Sequence, residues 1–368
     1  MARQPLSTRL PDFPWDSLKD AKAKAEAHPD GIVNLSVGTP VDDVAPSIQL
    51  ALAESSNISG YPQTMGTPEL RDSIVAWLER RYGVSGLTEK SVLPVVGTKE
   101  AIAWLPTLLG VSGKVVIPEV AYPTYEVAAR LAGASVQRAD SLLQLGPSSP
   151  DLMFINSPSN PTGKVLGIDH LRKVVQFARE RNVIIAADEC YIGLGWDDEN
   201  PPISLLDPRV TDGDMTNLLV IHSLSKSSNL AGYRAGFLAG DESLIQELLQ
   251  VRKHAGLMMP APVQHAMVAA LNDDEQEQAQ RLRYASRRAQ LMRALSEAGM
   301  RIDESHAGLY LWATRGEPCR ETLDWLAGLG ILVAPGDFYG PRGEEYVRVA
   351  LTGTDERIEA ACRRLASA

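Results

Sequence analysis

Cysteine is scarce in this chain: Cys190, Cys319 and Cys362 are the three in 368 residues. They are odd in number and far apart, with no CxxC or His/Cys ligand spacing, which argues against a disulfide framework and a structural zinc. No apolar run reaches the roughly 18 residues that a membrane-spanning helix needs. The opening stretch MARQPLSTRLPDFPWDSL has no apolar centre of the kind a secretory signal carries. An excess of basic residues is missing too, since 46 Asp and Glu against 36 Lys and Arg leave a net charge of -10. That balance speaks against nucleic acid or an anionic membrane as a main partner. No G-x-G-x-x-G follows the first strand-like run, which removes a nicotinamide-binding reading. There is no internal repeat and no low-complexity tract. A reducing cytoplasm is the expected location.

What is present is an ordinary globular composition, 44% hydrophobic and 22% charged, in a chain long enough for two domains or one lobed one. Thr67 and Pro68 open an amphipathic helix that Gly83 closes, with Leu70, Ile74, Trp77 and Leu78 on one face. Seven short apolar runs follow, SVLPVVG, KVVIP, ASVQRA, LMFINSP, VIIAADE, LLVIHSLS and AGFLAG. Several are rich in Val and Ile without alternation, as strands covered on both faces should be. Helical stretches such as GIDHLRKVVQFARERN, with Leu171, Val174, Val175 and Ala178 in phase, separate them. The alternation predicts an α/β domain with a mostly parallel sheet. Beyond about Pro262 the texture changes to a long charged helix near 275–298 and the shorter strand-like pieces GLYLWAT, ILVAPG and YVRVALT. The expected division is an N-terminal arm and part of a small domain at 1–40, a large domain at 41–262, and a smaller α+β domain at 263–368.

Polar residues collect at the trailing ends of the apolar runs, the edge where open α/β sheets bind ligands. Gly97 and Thr98 make a strand-to-helix turn whose free N–H groups suit an anion, although most such junctions are only turns. Tyr122 follows the next strand beside a proline. INSPSNPTGKV packs Asn156, Pro158, Asn160, Pro161 and Gly163 behind a strand, so one X-Pro bond there is a candidate for the cis form. Asp188 and Glu189 end a strongly apolar strand and need a partner there, either a salt bridge or a cationic ligand atom. HSLSKSSNLAGYRAG then places Lys226 at the exit of the core, Ser223 before it and Arg234 eight residues after it, with Gly232 and Gly236 expected to let the backbone turn closely. Each feature alone has a structural explanation; a lone lysine in such a place is ordinarily a surface residue.

In combination, their order and spacing resemble the class I/II aminotransferases, pyridoxal-phosphate enzymes of fold type I, from about Leu35 to Thr352. The resemblance implies a large domain with a mostly parallel seven-stranded sheet plus a smaller α+β C-terminal domain. It also implies pyridoxal 5'-phosphate as cofactor. Lys226 is then the lysine that forms a Schiff base with the cofactor aldehyde and shuttles a proton once freed. Asp188 pairs with the pyridine nitrogen, Tyr191 and Asn160 bond the ring's phenolic oxygen, and Tyr122 stacks on the ring. Gly97, Thr98, Lys99, Ser223 and Arg234 hold the phosphate. Tyr61 reaches the phosphate of the other subunit, so a homodimer belongs to the expectation. Arg348, a planar fork in an apolar strand, grips the substrate α-carboxylate, and Gly38 lines the entrance.

The C-terminal segment from Ser305 to Thr352 is most similar to actinobacterial-type succinyldiaminopimelate aminotransferases of lysine biosynthesis. That resemblance implies glutamate as donor and N-succinyl-2-amino-6-ketopimelate as acceptor, with Arg9, Arg315 and Arg342 as candidate extra cations. An aminotransferase of alanine, aromatic or general 2-oxo acid specificity is the alternative. A non-catalytic cofactor-binding regulator would need a DNA-binding module, for which the N-terminal arm has no room.

Overall fold

The computed structural model describes residues 5–147 and 149–367; residues 1–4 of the expected N-terminal arm lie outside the described residues. The seven apolar runs form one seven-stranded sheet: β1 (Val92–Val96), β2 (Lys114–Ile117), β3 (Ser135–Arg138), β4 (Leu152–Asn156), β5 (Ile184–Asp188), β6 (Leu218–Ser223) and β7 (Ala235–Gly240). The strand order is β1-β7-β6-β5-β4-β2-β3. β7 runs antiparallel to both neighbours, and the other pairs are parallel. Alternate residues of the inner strands enter different cores. Val116, Met153, Ile185 and Val220 face one side, while Val115, Phe154, Ala186 and Leu219 face the other. Coverage on both faces is why these strands read as unbroken apolar runs.

Helices enclose the sheet. In α1 (Pro68–Tyr82) the Thr67 hydroxyl accepts from the Leu70 N–H at 3.2 Å, and Gly83 ends the helix at φ 66°, a left-handed turn. α2 (Thr98–Leu108) and α3 (Thr124–Ala132) start directly behind β1 and just behind β2. α4 (Ile168–Arg181) buries Leu171, Val174, Val175 and Ala178. α5 (Ala261–Leu271) places Ala266, Met267, Ala270 and Leu271 in the core of the large sheet. α6 (Asp274–Glu297) instead sends Tyr284, Leu291 and Leu295 to a separate core. The packing changes core between Leu271 and Asp274.

That second core covers an antiparallel sheet of β8 (Arg301–Asp303), β9 (Tyr310–Thr314), β10 (Ala334–Pro335) and β11 (Val347–Ala350), ordered β10-β11-β9-β8. Leu18, Ala25, Val33 and Leu35 join it, and Val33–Asn34 pairs in parallel with Ile331–Leu332. The chain's beginning and end therefore share one core. Among the described residues no helix is long and apolar enough to cross a membrane.

Candidate active site

Register brings the polar strand ends together. Asn156 pairs with Asp188 across β4 and β5, Asp188 with Ile221 across β5 and β6, and Ser223 with Gly236 across β6 and β7. A cavity of about 830 Å³ opens at this edge. Thr98, Lys99, Tyr122, Asn160, Asp188, Tyr191, Ser223, Lys226 and Arg234 line it, and Gly38 and Arg348 close it from the small-domain side. Gly97 lies beneath, where a Cβ would meet the Arg234 guanidinium at 2.1 Å.

The carboxylates at the end of β5 have separate partners. Asp188, 5% exposed, accepts from the Tyr125 hydroxyl at 2.6 Å and from the Cys190 N–H at 3.1 Å. Glu189 points the other way, to His222 at 3.1 Å and the Leu205 N–H at 2.7 Å. The loop behind β4 contains two cis bonds, Ser157–Pro158 and Asn160–Pro161, where the proline spacing suggested one. Asn156 braces that loop. Its Nδ2 donates to the carbonyls of Pro158 and Asp188, and its Oδ1 accepts from the Asn160 N–H at 2.7 Å.

Asn160 Oδ1 accepts from Arg348 Nη1 at 2.9 Å, and Arg348 Nη2 donates to the Ser36 carbonyl at 2.7 Å. The guanidinium also lies 3.9 Å from the Tyr310 ring centre. Tyr310 meets Tyr191, hydroxyl to hydroxyl, at 3.1 Å. Gly38 is required by this contact, because a Cβ there would come within 2.1 Å of Tyr310 Oη. Burial pushes the Tyr122 hydroxyl up to about 12. Burial, with Tyr310 alongside, holds Tyr191 well above its ordinary value, so both rings stay protonated donors. The Cys190 thiol is raised by the same cause and stays neutral.

The opposite end of the cavity suits an anion. The N-terminus of α2 presents free N–H groups, and the Arg234 guanidinium lies against Gly97. Arg234 itself has φ 58°, an uncommon left-handed position for a residue with a side chain. Gly236 allows close backbone approach, since a Cβ would meet the His222 carbonyl at 2.9 Å and Thr98 Cγ2 at 3.0 Å; Gly232, by contrast, faces open space. Lys226 sits on a single helical turn, Leu224–Ser227, whose start the Ser223 hydroxyl caps by accepting from the Ser225 N–H. Its half-buried amine makes no hydrogen bond or ion pair among the described residues. An anion cradle, an amine without a partner and a buried carboxylate in one cavity match a phosphorylated aldehyde with a basic ring nitrogen.

Four expected residues lie elsewhere. Tyr61 is 98% exposed and does not line its own chain's cavity. Arg315 pairs with Glu317 and stacks on Trp325, and Arg342 sits at 3.8 Å from Glu119 beside a different cavity. Arg9 is exposed and also outside the lining. Sequence reasoning gave no site role to Tyr125, Tyr310, Asn156 or the aromatic pair Phe13 and Trp15, all of which support or line the site. Asn156 carried a signal, standing in the INSPSNPTGKV loop, and Tyr125 lies three residues after Tyr122.

The fold and this cavity define a pyridoxal 5'-phosphate-dependent transaminase. The family described as aminotransferase class I and II matches residues 30–365, and the chain belongs to it. A probable aminotransferase of Mycobacterium tuberculosis is 67% identical over 99% of this chain and 87% of its own length. The 4-dedimethylamino-4-oxo-anhydrotetracycline transaminase OxyQ of Streptomyces rimosus is 55% identical over 97% of this chain and 99% of its own. The solved structure of a probable N-succinyldiaminopimelate aminotransferase from Thermus thermophilus superposes with a TM-score of 0.85. It has 28% identity and covers 96% of this chain and 100% of that one.

Proposed function

We propose that the chain moves an amino group from glutamate to N-succinyl-2-amino-6-ketopimelate, with Lys226 as the cofactor-bearing and proton-moving residue. The observation that carries the transamination site is the partnerless Lys226 amine, sharing one cavity with buried Asp188 and Arg348. Bound pyridoxal phosphate supplies the carbonyl that amines condense with and a ring that accepts electrons. Asp188, already oriented by Tyr125, holds the proton on the ring nitrogen. Asn160 Nδ2, which makes no hydrogen bond among the described residues, and the Tyr191 hydroxyl donate to the ring oxygen, and Tyr122 stacks on the ring. Gly97, Thr98, Lys99, Ser223 and Arg234 take the phosphate. Arg348 fixes the substrate carboxylate so that the Cα–H bond faces Lys226 Nζ, which removes the proton. The family's dimeric habit and the bare aromatic ring of Tyr61 support a homodimer in which Tyr61 completes the neighbouring site.

The succinylated acceptor is supported by the Thermus structure's name and by the similarity of the C-terminal segment. A second reading, an acceptor without a distal carboxylate, is favoured by one observation: Arg9, Arg315 and Arg342 all lie outside the cavity lining. One experiment tests both. Wild-type and Lys226→Ala chains are loaded with cofactor and given glutamate, N-succinyl-diaminopimelate, free diaminopimelate and common amino acids. Wild type alone is expected to show the lysine-linked visible absorbance, and to prefer the succinylated compound. If Lys226→Ala keeps that absorbance, the site assignment is wrong. Equal efficiency across the panel removes the narrow substrate and leaves transamination standing.

A further inference from the structure

A second cavity, of about 730 Å³, lies between the large sheet and the small domain. The loop behind β4 divides it from the first, since Asn160 lines one while Asn156, Ser159 and Thr162 line the other. Its floor is apolar, with Leu145, Met153, Ile155 and Val174 from the core of the large sheet. Its small-domain wall is the ring pair of Trp312 and Tyr346, stacked with centres 4.9 Å apart. The charged residues around it are unequally satisfied. Asp303 accepts from Arg301 at 2.8 Å and from the Tyr346 hydroxyl at 2.7 Å. Asp140 accepts from the Glu119 N–H at 2.9 Å, and Glu304 has His306 at 3.7 Å. Arg342 holds Glu119 loosely, at 3.8 Å. The Lys164 ammonium makes no hydrogen bond or ion pair among the described residues, and neither does the half-buried His170 ring. Burial, with Lys164 and Lys173 alongside, lowers the His170 pKa, so this ring stays uncharged at neutral pH.

We propose that this second cavity binds a small organic acid, one carboxylate joined to an apolar body, as a ligand distinct from the substrates. The Lys164 ammonium takes the carboxylate, and the His170 ring adds a hydrogen bond. The charge-assisted bond fixes the acid group, and the apolar body leaves water for the floor. The lining carboxylates set the ligand's charge. They repel a dianion such as a phosphate monoester more than a single carboxylate, and an amine meets carboxylates that already have partners. The occupant also bears on catalysis. Asn156 Oδ1 holds the Asn160 N–H at 2.7 Å, and Asn160 in turn accepts from Arg348. The same loop is tied to the small domain, where the Ser305 and Ala307 N–H groups donate to the Thr162 and Gly163 carbonyls at 2.8 and 3.0 Å. A ligand filling the cavity packs against this loop from behind. It changes how firmly Asn160 and Arg348 are held without meeting the substrate.

The test titrates the cofactor-loaded enzyme calorimetrically with 3-phenylpropionate, 3-phenylpropionamide, 3-phenylpropylamine and acetate. The acid is expected to bind about tenfold or more tightly than its amide or the amine, from its charge-assisted bond to Lys164. Acetate, which lacks the apolar body, should bind about 100-fold more weakly than the acid, or worse. Lys164→Glu should weaken the acid by about tenfold or more, whereas Lys164→Arg, which keeps the charge, should hold it within about threefold. Without the acid both variants should react as fast as wild type, because Lys164 touches neither cofactor nor substrate. In single-turnover half-reactions at saturating glutamate, the acid should still alter the wild-type rate. In Lys164→Glu the same response should need about tenfold more acid. Equal binding of acid and amide overturns the proposal, as does binding indifferent to Lys164→Glu. So does a rate that the acid no longer affects once glutamate saturates, as for an acid held on Arg348 alone. The heats are read without turnover, so a failure of the aminotransferase reading would show separately, as a chain that binds the acid but converts no amino acid.

Discussion

Adding one methyl group at Gly38 probes how tightly the small-domain tyrosine is locked into the site. A Cβ there would stand 2.1 Å from Tyr310 Oη and 2.9 Å from its Cζ, where ordinary contact begins at 3.4 Å. Tyr310 must retreat by more than an ångström. It cannot do so alone, because its hydroxyl meets Tyr191 at 3.1 Å and its ring lies 3.9 Å from the Arg348 guanidinium. Overpacking of this kind costs about 1–3 kcal/mol. A misplacement of about 1 Å in a positioning group costs roughly 100-fold in rate. Gly38→Ala is therefore expected to lower kcat/KM for glutamate by about 100-fold while the chain stays folded and binds cofactor. Adding Tyr310→Phe removes the atom struck most closely, and should recover about tenfold of the loss although Tyr310→Phe alone is harmful. The assay is single-turnover kinetics on the four chains of this double-mutant cycle. Activity of Gly38→Ala within threefold of wild type, or effects of the two substitutions that simply add, would refute the steric argument.

Arg348→Lys replaces a fork that donates to both Asn160 and Ser36 with a single point charge. Bonds from a charged donor are worth about 1.5–3 kcal/mol each, so kcat/KM should drop by about 100-fold or more for every amino acid in a half-reaction assay. A loss below threefold would mean Arg348 does not grip the carboxylate. Glu277 tests the electrostatics behind the site. Burial raises its pKa above the ordinary 4.5, with Arg81 opposing only in part at 3.5 Å. The folded chain thus binds this proton more tightly than the unfolded one. The group's stabilising contribution is complete below the unfolded value and disappears as pH rises through the folded value. Where the group is ionised in the folded chain, that form therefore costs stability relative to the protonated one. Glu277→Gln should unfold at a higher temperature than wild type at pH 7–8, with the difference shrinking toward pH 4.5. A difference that does not change with pH would contradict the burial argument.

The seven strands and the helices α1 and α4 were legible because their cause is local. A strand buried on both faces must be apolar throughout, and an amphipathic helix must repeat its apolar residues every three or four positions. The expected contents of the cavity were legible for a related reason. Gly97, Asp188, Ser223 and Lys226 stand at the ends of such strands or just behind them, and the sheet's register aligns those ends. Where several copies of one residue type compete, the pattern gives no ranking. Tyr122 and Tyr125 share one short motif, and only the way α3 lies against β5 sends the second hydroxyl to Asp188. Arg315 and Arg342 were candidate cations in sequence, yet both form ion pairs away from the cavity, whereas Arg348 in its apolar strand is buried in it.

The amino-acid order by itself thus determined the sheet and the polar residues at the strand ends, because strand burial and motif spacing act over a few residues, and through its resemblance to the class I/II aminotransferases it implied the cofactor. Tertiary structure alone decided what closes the cavity. Phe13, Trp15, Gly38 and Tyr310 come from opposite ends of the chain, and they meet because Val33–Asn34 pairs with Ile331–Leu332 in one shared core. That meeting depends on packing between segments roughly 300 residues apart, where no periodicity in either segment records its partner.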